Sequence, residues 1–194
     1  MEATVAHSES DFTRLLREMR LDEALQSLKR TPAKVDTAAV AAMISEYESR
    51  ARQLHAAGDT GEARRMARRA AALSGLLTHG PDPAGMIAEA DLPEGYRGKI
   101  LLVALNGGGF DGKVCLRSGD GWHREILRNT QAEMEDLGFI HTRVHPLGGA
   151  CVRFDPDGCI TLWGTSNEFG CCDKELAARL IARAYQGCTV RIEV

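Results

Sequence analysis

The chain has 194 residues, of which 44% are hydrophobic and 26% are charged, and its formal net charge at pH 7 is −3. These values fit one globular domain with an accessory part, or two small domains. Charges of both signs are balanced in each half, which argues against nucleic acid as a partner. No apolar run approaches the roughly 20 residues that span a bilayer, and the N-terminus lacks the pattern of a secretory signal. We therefore expect a cytoplasmic protein without membrane contact.

The cysteines and histidines do not predict a metal site. In an intracellular chain the six cysteines are expected to be buried free thiols rather than a disulfide framework. His141 and His145 lie four residues apart on a predicted strand. That spacing is about 13 Å, too long for two ligands of one ion. We expect neither a metal nor another cofactor.

The first half of the sequence predicts helices throughout. Apolar residues recur at helical spacing over residues 12–28. A longer helix is expected over residues 36–57, followed after Gly58 by a second helix that Asp59 caps, which together form an αα-hairpin. The apolar faces are expected to contain Ile44, Tyr47, Ala51 and Leu54 in the first helix, and Met66, Ala70, Leu73 and Leu77 in the second.

Four arginines share the opposite face of the second helix of this hairpin: Arg64, Arg65, Arg68 and Arg69. A solvated helix surface is the simpler interpretation. The alternative is a docking patch for an acidic protein partner or a phosphate-rich surface.

The composition and the apolar periodicity of the sequence change from residue 78 onward. Residues 78–99 contain three prolines and four glycines, which indicates a linker. We place a domain boundary near Gly98, with a helical region over residues 1–97 and a second domain over residues 98–194. Strands are expected over residues 99–105, 113–117, 140–145, 151–154, 159–163 and 189–194.

Two helices complete the second domain, one after His123 and one over residues 173–185 that Asp173 caps. The second domain is thus expected to be an α/β (α+β) sandwich, with a mixed β-sheet of five or six strands and two packed helices. The buried faces are expected to contain Ile126, Leu127, Thr130, Met134 and Leu137 in the first helix, and Leu176, Leu180, Ile181 and Ala184 in the second.

Three places in this domain suggest chemistry. His123 begins a helix, where an exposed or capping role is common, but a neutral imidazole can also accept a proton or attack as a nucleophile. Lys99 begins the first strand and is a candidate charge for an oxyanion. The loop around Ser166 runs from a strand to a helix start, an arrangement that suits an anion. By contrast, "LNGGGFDG" lacks the GK[ST] ending of a phosphate loop and leads into a strand, so it predicts a turn.

Four stretches in this order resemble the Janus/Ocnus family, whose best-known members are small protein phosphohistidine phosphatases. They are "KILLVAL" from Lys99, "GWHREI" around His123, "LGGACVRF" and "LWGTSNEFG". The resemblance covers residues 98–194, about half of the chain. It implies metal-independent hydrolysis of a phosphoramidate bond on a phosphorylated protein or peptide.

The resemblance also implies roles for individual residues. His123 would be the catalytic base or nucleophile, and Lys99 would bind the phosphoryl group. The loop of Ser166, Asn167 and Glu168 would hold phosphate oxygens, mainly through backbone N–H groups.

The sequence departs from the family pattern at several positions. Ala150 replaces the third glycine and Cys151 replaces an arginine, for which Arg153 is a candidate substitute because it lies on the same strand face. Glu168 stands where a small residue is usual, and its carboxylate would repel a phosphoryl group by ~1 kcal/mol or more unless it points away. The helical first half has no counterpart in the small phosphatases.

Two alternatives therefore stay open. The chain could be a non-catalytic adaptor that keeps the fold, binds phosphate or a partner, and uses its N-terminal helices for a protein interaction. Cys171 and Cys172 could instead form a redox-sensitive pair at a helix N-terminus, although two structural thiols in a turn are the simpler interpretation.

Overall fold

The computed structural model describes residues 10–30 and 35–193, which form two compact units. Unit 1 contains the residues up to Met86 together with Asp136–Ile140. Unit 2 contains Ile87–Glu135 and the chain from His141 onward. Most of the N-terminal stretch that bears on a secretory signal, and the last residue of the predicted final strand, lie outside the described residues.

Unit 1 is helical, as the sequence predicts. Its helices are α1 (Asp11–Arg17), α2 (Leu21–Arg30), α3 (Thr37–Ala56), α4 (Thr60–His79) and α5 (Pro83–Met86). Asp36 caps α3 by accepting the Ala39 N–H at 3.0 Å, and Asp59 caps α4 by accepting the Glu62 N–H at 3.1 Å. These two caps fix the starts of the hairpin helices where the sequence places them.

The buried face of α4 differs from the prediction at its C-terminal end. Leu76 is buried there, whereas Leu77 is exposed. The short helix α5 packs against α4 at Gly75, where an added Cβ would lie 2.3 Å from the Gly85 carbonyl oxygen. On α3 the predicted residues are only half-buried, and the fully buried positions are Val40 and Met43 near its start.

The arginine face of α4 is partly engaged within unit 1. Arg65 Nε donates to Asp136 at 2.7 Å, and Arg69 donates to both oxygens of the same carboxylate at 3.0 and 2.6 Å. Burial opposes ionisation of Asp136, but the hydrogen bonds from Arg69 and Arg65 outweigh it and hold the pKa of this carboxyl below its usual value. Arg65 and Arg69 thus have an internal acidic partner, which leaves less charge for an external one.

Replacing Asp136 with Asn should reduce the free energy of unfolding by about 1–3 kcal/mol at neutral pH, because two arginines lose their charged acceptor. A carboxyl whose folded-state pKa is depressed stabilises above its unfolded pKa, and that stabilisation disappears as the pH falls through the folded value. Urea unfolding at several pH values should therefore show the wild-type advantage at pH 7 and its loss below about pH 4. Glu135→Gln, at an exposed neighbouring position, should show neither effect.

Unit 2 contains the predicted α+β architecture, with a mixed sheet of six strands. The strands are β1 (Ala90–Asp91), β2 (Arg97–Gly107), β3 (Phe110–Gly119), β4 (Arg143–Phe154), β5 (Ile160–Trp163) and β6 (Val190–Ile192). Their order in the sheet is β1-β3-β2-β4-β5-β6, with parallel pairs at the two edges and antiparallel pairs between them. The helices are α6 (His123–Asp136) and α7 (Lys174–Ala184).

Two strands differ from the sequence prediction. The glycine- and proline-rich stretch 78–99 contains β1 and the short helix α5, so it is more ordered than a linker. The predicted strands over 140–145 and 151–154 are one continuous strand, β4. Its pairing with β2 shifts register at Leu147, which forms a bulge, so "PLGG" bends the strand without ending it.

The two helices of unit 2 pack on opposite faces of the sheet. Ile100, Ala150 and Leu162 belong to one apolar core that includes Leu180 and Ile181 of α7. The alternate residues of the same strands face α6. On α7 the buried residues are Ala177, Leu180 and Ile181, whereas Leu176 is partly buried and Ala184 is exposed.

A buried ion pair joins α6 to the sheet. Arg117 of β3 donates through Nε and Nη2 to the two carboxylate oxygens of Glu133, each at 3.0 Å. Its remaining nitrogen donates to the carbonyls of Ala88 and Leu116. The side chains are 1% and 4% exposed, so both charges depend on each other for compensation.

Glu133→Ala should reduce the free energy of unfolding by about 3–5 kcal/mol, because Arg117 would stay buried without a counter-charge. Thermal or urea unfolding measures the loss. Glu135→Ala removes the same side chain from an exposed position of α6 and should change stability by less than about 0.5 kcal/mol. Equal effects of the two substitutions would contradict the role given to the ion pair.

Candidate active site

His123 is the first residue of α6, and its side chain is 5% exposed. The helix start is shaped by Glu125, whose carboxylate accepts the Trp122 N–H at 2.8 Å. A histidine at a helix start is usually solvated, so its burial is the first sign that the fold holds this ring in place.

The backbone of β4 fixes the orientation of the His123 ring. Its Nε2 lies 3.2 Å from the Ala150 carbonyl oxygen. A carbonyl only accepts, so we assign the proton to Nε2, which leaves the lone pair of the neutral ring on Nδ1. Within the part of the chain that the structure describes, Nδ1 has no hydrogen-bond partner, and no fully buried side-chain nitrogen there is unpaired. Nδ1 is therefore reached by solvent and can accept a further hydrogen bond.

Gly149 brings His123 and Ser166 together. A Cβ at this position would lie 2.4 Å from His123 Cδ2, 2.5 Å from His123 Nε2 and 2.9 Å from Ser166 Cβ. Only a residue without a side chain therefore fits between the two candidate groups. Sequence analysis noted the glycine stretch but did not single out Gly149, because its contacts come from residues distant in the chain.

The Ser166 loop is attached to β4 by backbone hydrogen bonds. The Gly149 N–H donates to the Gly170 carbonyl at 3.0 Å, and the Cys172 N–H donates back to the Gly149 carbonyl at 3.4 Å. Ser166 is 3% exposed, and its Oγ accepts the N–H groups of Glu168 and Phe169 at 3.3 and 3.2 Å. In this state these two amides are directed at the serine hydroxyl rather than outward.

Lys99 lies against the loop that leads into α6. Its Nζ donates to the Gly121 carbonyl at 3.3 Å and sits 4.5 Å from the centroid of the Trp122 ring. The register of β2 and β4 places Lys99 directly opposite Cys151. The structure therefore brings a cation to the residues immediately preceding His123.

Glu168 also reaches the start of α6. Its carboxylate accepts the Arg124 N–H at 3.2 Å and the Arg124 guanidinium at 3.3 Å. Asn167 between it and Ser166 is exposed. Arg124 was not a predicted site residue, and its position directly after His123 in the sequence is the only signal that points to it.

The other departures from the family pattern have structural explanations. Ala150 directs its methyl group into the core on the α7 side of the sheet, opposite His123. Arg153 donates to Asp155 at 2.7 Å and to Glu193 at 2.6 Å, and lies 5.0 Å from the Trp163 ring centroid. Its charge is therefore balanced at the far end of β4, which weakens the prediction that it replaces the missing arginine.

The cysteine side chains differ in solvent exposure. All six cysteines are free, and Cys171 is exposed whereas Cys172 belongs to the apolar core. Burial raises the pKa of the Cys172 thiol to about 11, which opposes the thiolate that redox chemistry requires. Over residues 10–30 and 35–193, no group of three or more His, Cys, Asp or Glu side chains is arranged to hold a metal ion.

Unit 2 is thus an α+β domain with a buried, oriented histidine beside a lysine and a strand-to-helix loop. A model of the Janus/Ocnus family matches residues 87–189, more than half of the chain. The chain belongs to the Janus/Ocnus family. No curated protein matches it. Among the described helices, none combines the length and apolar character needed to cross a membrane.

Gly149→Ala should displace the His123 ring, since the new methyl group would overlap both the ring and Ser166. Overpacking of this kind costs about 1–3 kcal/mol. The displacement would appear as a changed chemical shift of the His123 ring protons in NMR spectra. Ala150→Gly, which removes a methyl group from the opposite face, should leave those shifts unchanged. A Gly149→Ala protein with wild-type His123 shifts would contradict the packing described.

Proposed function

We propose that the protein hydrolyses phosphoramidate bonds, such as those of phosphohistidine in a protein or peptide, without a metal ion. The observation that carries the proposal is His123: a buried ring held through Nε2 by the Ala150 carbonyl, with Nδ1 open. A base or nucleophile needs such a fixed orientation and an available lone pair. Membership of the Janus/Ocnus family supports the same function.

Positive charge for the phosphoryl group would come from two sources. Lys99 supplies an ammonium group held beside the Gly121 carbonyl and the Trp122 ring. The N-terminus of α6 adds the positive end of a helix dipole. Together they stabilise the charge that spreads over the phosphoryl oxygens as the bond to nitrogen breaks.

The reaction balances with water alone. A water oxygen forms the new bond to phosphorus, the P–N bond breaks, and the leaving nitrogen takes a proton. His123 Nδ1 would either accept the proton of the attacking water or first take the phosphoryl group itself and release it to water. In both routes the Ala150 carbonyl stabilises the imidazolium that forms, because Nε2 keeps its hydrogen bond.

A second candidate function is a phosphate- or partner-binding adaptor without turnover. Glu168 favours it, because its carboxylate is bonded to the start of the helix that carries His123. Loss of turnover together with retention of a protein partner that depends on residues 1–97 would favour the adaptor.

His123→Ala should abolish phosphate release from a phosphohistidine peptide in metal-free buffer. Lys99→Ala should lower kcat/KM by about 10- to 100-fold, the effect expected for one electrostatic contact to the transition state. His145→Ala is a matched control, because this histidine is exposed on β4. Turnover that survives His123→Ala would refute the proposed mechanism.

A further inference from the structure

The carboxylate of Glu168 occupies the start of α6. It accepts the backbone N–H of Arg124 and also contacts the Arg124 guanidinium, at 3.2 and 3.3 Å. Arg124 is the residue after His123, so an acidic side chain is bound within one residue of the candidate catalytic group. Free N–H groups at a helix start bind anions, and here the protein provides the anion itself.

Two further observations indicate that an external anion belongs beside this position. The adjacent His123 is 95% buried, since its exposure is 5%, yet its Nδ1 is without a partner among the described residues. Lys99 of β2, whose Nζ donates to the Gly121 carbonyl on the loop before His123, adds a cation. With Arg124 next to His123 in the chain and Lys99 bound to the loop that precedes it, two cations lie around this residue, which suits an anionic ligand.

The Glu168–Arg124 ion pair is weak enough to exchange. The Arg124 and Glu168 side chains are 60% and 35% exposed, and both of their contacts are longer than 3 Å. Exposed pairs of this kind contribute little to stability, and water screens them. A phosphoryl group carries more charge than a carboxylate and offers more acceptor oxygens, so it competes well for the same donors.

We propose that Glu168 and Arg124 form an exchangeable anion latch. In the empty site the Glu168 carboxylate holds the Arg124 N–H and guanidinium. A phosphoryl group displaces the carboxylate and takes over both donors, so that Arg124 becomes a substrate-binding residue. This inference rests on the proposed function for its substrate, but the anion exchange can be measured without turnover.

The latch accounts for two departures from the family pattern, Cys151 and Glu168. Arg153, the predicted substitute for the arginine that Cys151 replaces, is already bound to Asp155 and Glu193. Arg124 can supply the missing guanidinium from α6 instead. Glu168 should repel the substrate by its charge, but in the latch it pairs with Arg124. Anions of low charge would then fail to displace its carboxylate.

The test is a titration of the full-length protein with inorganic phosphate, followed by NMR shifts of the Arg124 amide and the His123 ring. Glu168→Gln should lower the Kd for phosphate by on the order of five-fold, because the amide competes less well for the donors. Arg124→Gln should raise it by a similar factor. In assays with a phosphohistidine peptide, the same two substitutions should lower and raise KM, with smaller changes in kcat.

Asp157→Asn is the matched control for charge. Asp157, in the turn between β4 and β5, also forms an exposed ion pair with an arginine, Arg191, at 2.8 Å. Its removal changes the net charge as Glu168→Gln does and should leave the Kd for phosphate within two-fold of wild type. Thermal unfolding of each variant verifies that the fold is kept.

The outcomes separate this inference from the proposed function. The predicted shifts in phosphate affinity without turnover in any variant would support the latch and refute the hydrolase. Turnover with phosphate affinities that do not respond to Glu168→Gln and Arg124→Gln would refute the latch and leave the hydrolase standing. Absence of phosphate binding in every variant, or an equal gain in Asp157→Asn, would also overturn the latch.

Discussion

The ion pair between Arg117 and Glu133 is buried between β3 and α6, and the candidate site depends on it. Two parallel hydrogen bonds of 3.0 Å fix both the distance and the rotation of α6 over the sheet. His123 is the first residue of the same helix, so a rotation of α6 would carry its ring away from the Ala150 carbonyl. A charged pair constrains geometry more strictly than apolar contacts, because a displaced partner would leave a bare charge in the core.

The site is built largely from backbone. The carbonyl of Ala150 orients His123, and the N–H and carbonyl of Gly149 attach the Ser166 loop. The absence of a side chain at Gly149 makes room for both groups. This construction explains why Ala150 is acceptable where the family pattern has glycine: its methyl group lies on the other face of the sheet. Successive side chains of a strand point to opposite faces of the sheet, so neighbouring residues of one motif pack against different elements.

Family membership and the site geometry are both consistent with the proposed hydrolysis. The family match extends over residues 87–189 and includes Lys99, His123 and Ser166. Burial and one hydrogen bond fix the orientation of the His123 ring, as the proposed mechanism requires. In the proposed latch an anion that enters the site competes with the Glu168 carboxylate for the donors of Arg124.

The sequence by itself determined the helical first half, the α+β class of the second domain with its two helices, and the placement of Lys99 on a strand, His123 at a helix start and Ser166 in a loop. Helix caps, apolar periodicity and turn residues are local signals, and they predicted Asp59 and Asp173 as caps correctly. Local signals did not reveal β1, whose two residues form a strand only because β3 lies beside them. Nor did they show that β4 continues through a bulge at Leu147, since the partner strand decides that.

Only the tertiary structure decided which groups meet. Arg65 and Arg69 bind Asp136, and Arg153 binds Asp155 and Glu193. Glu168 accepts the Arg124 N–H. Partners more than forty residues apart, such as Arg124 and Glu168, leave no periodic pattern in the sequence. The sequence thus determines which chemical groups are available, and long-range packing determines which of them face one another, because a side chain's environment is set by the elements packed around it.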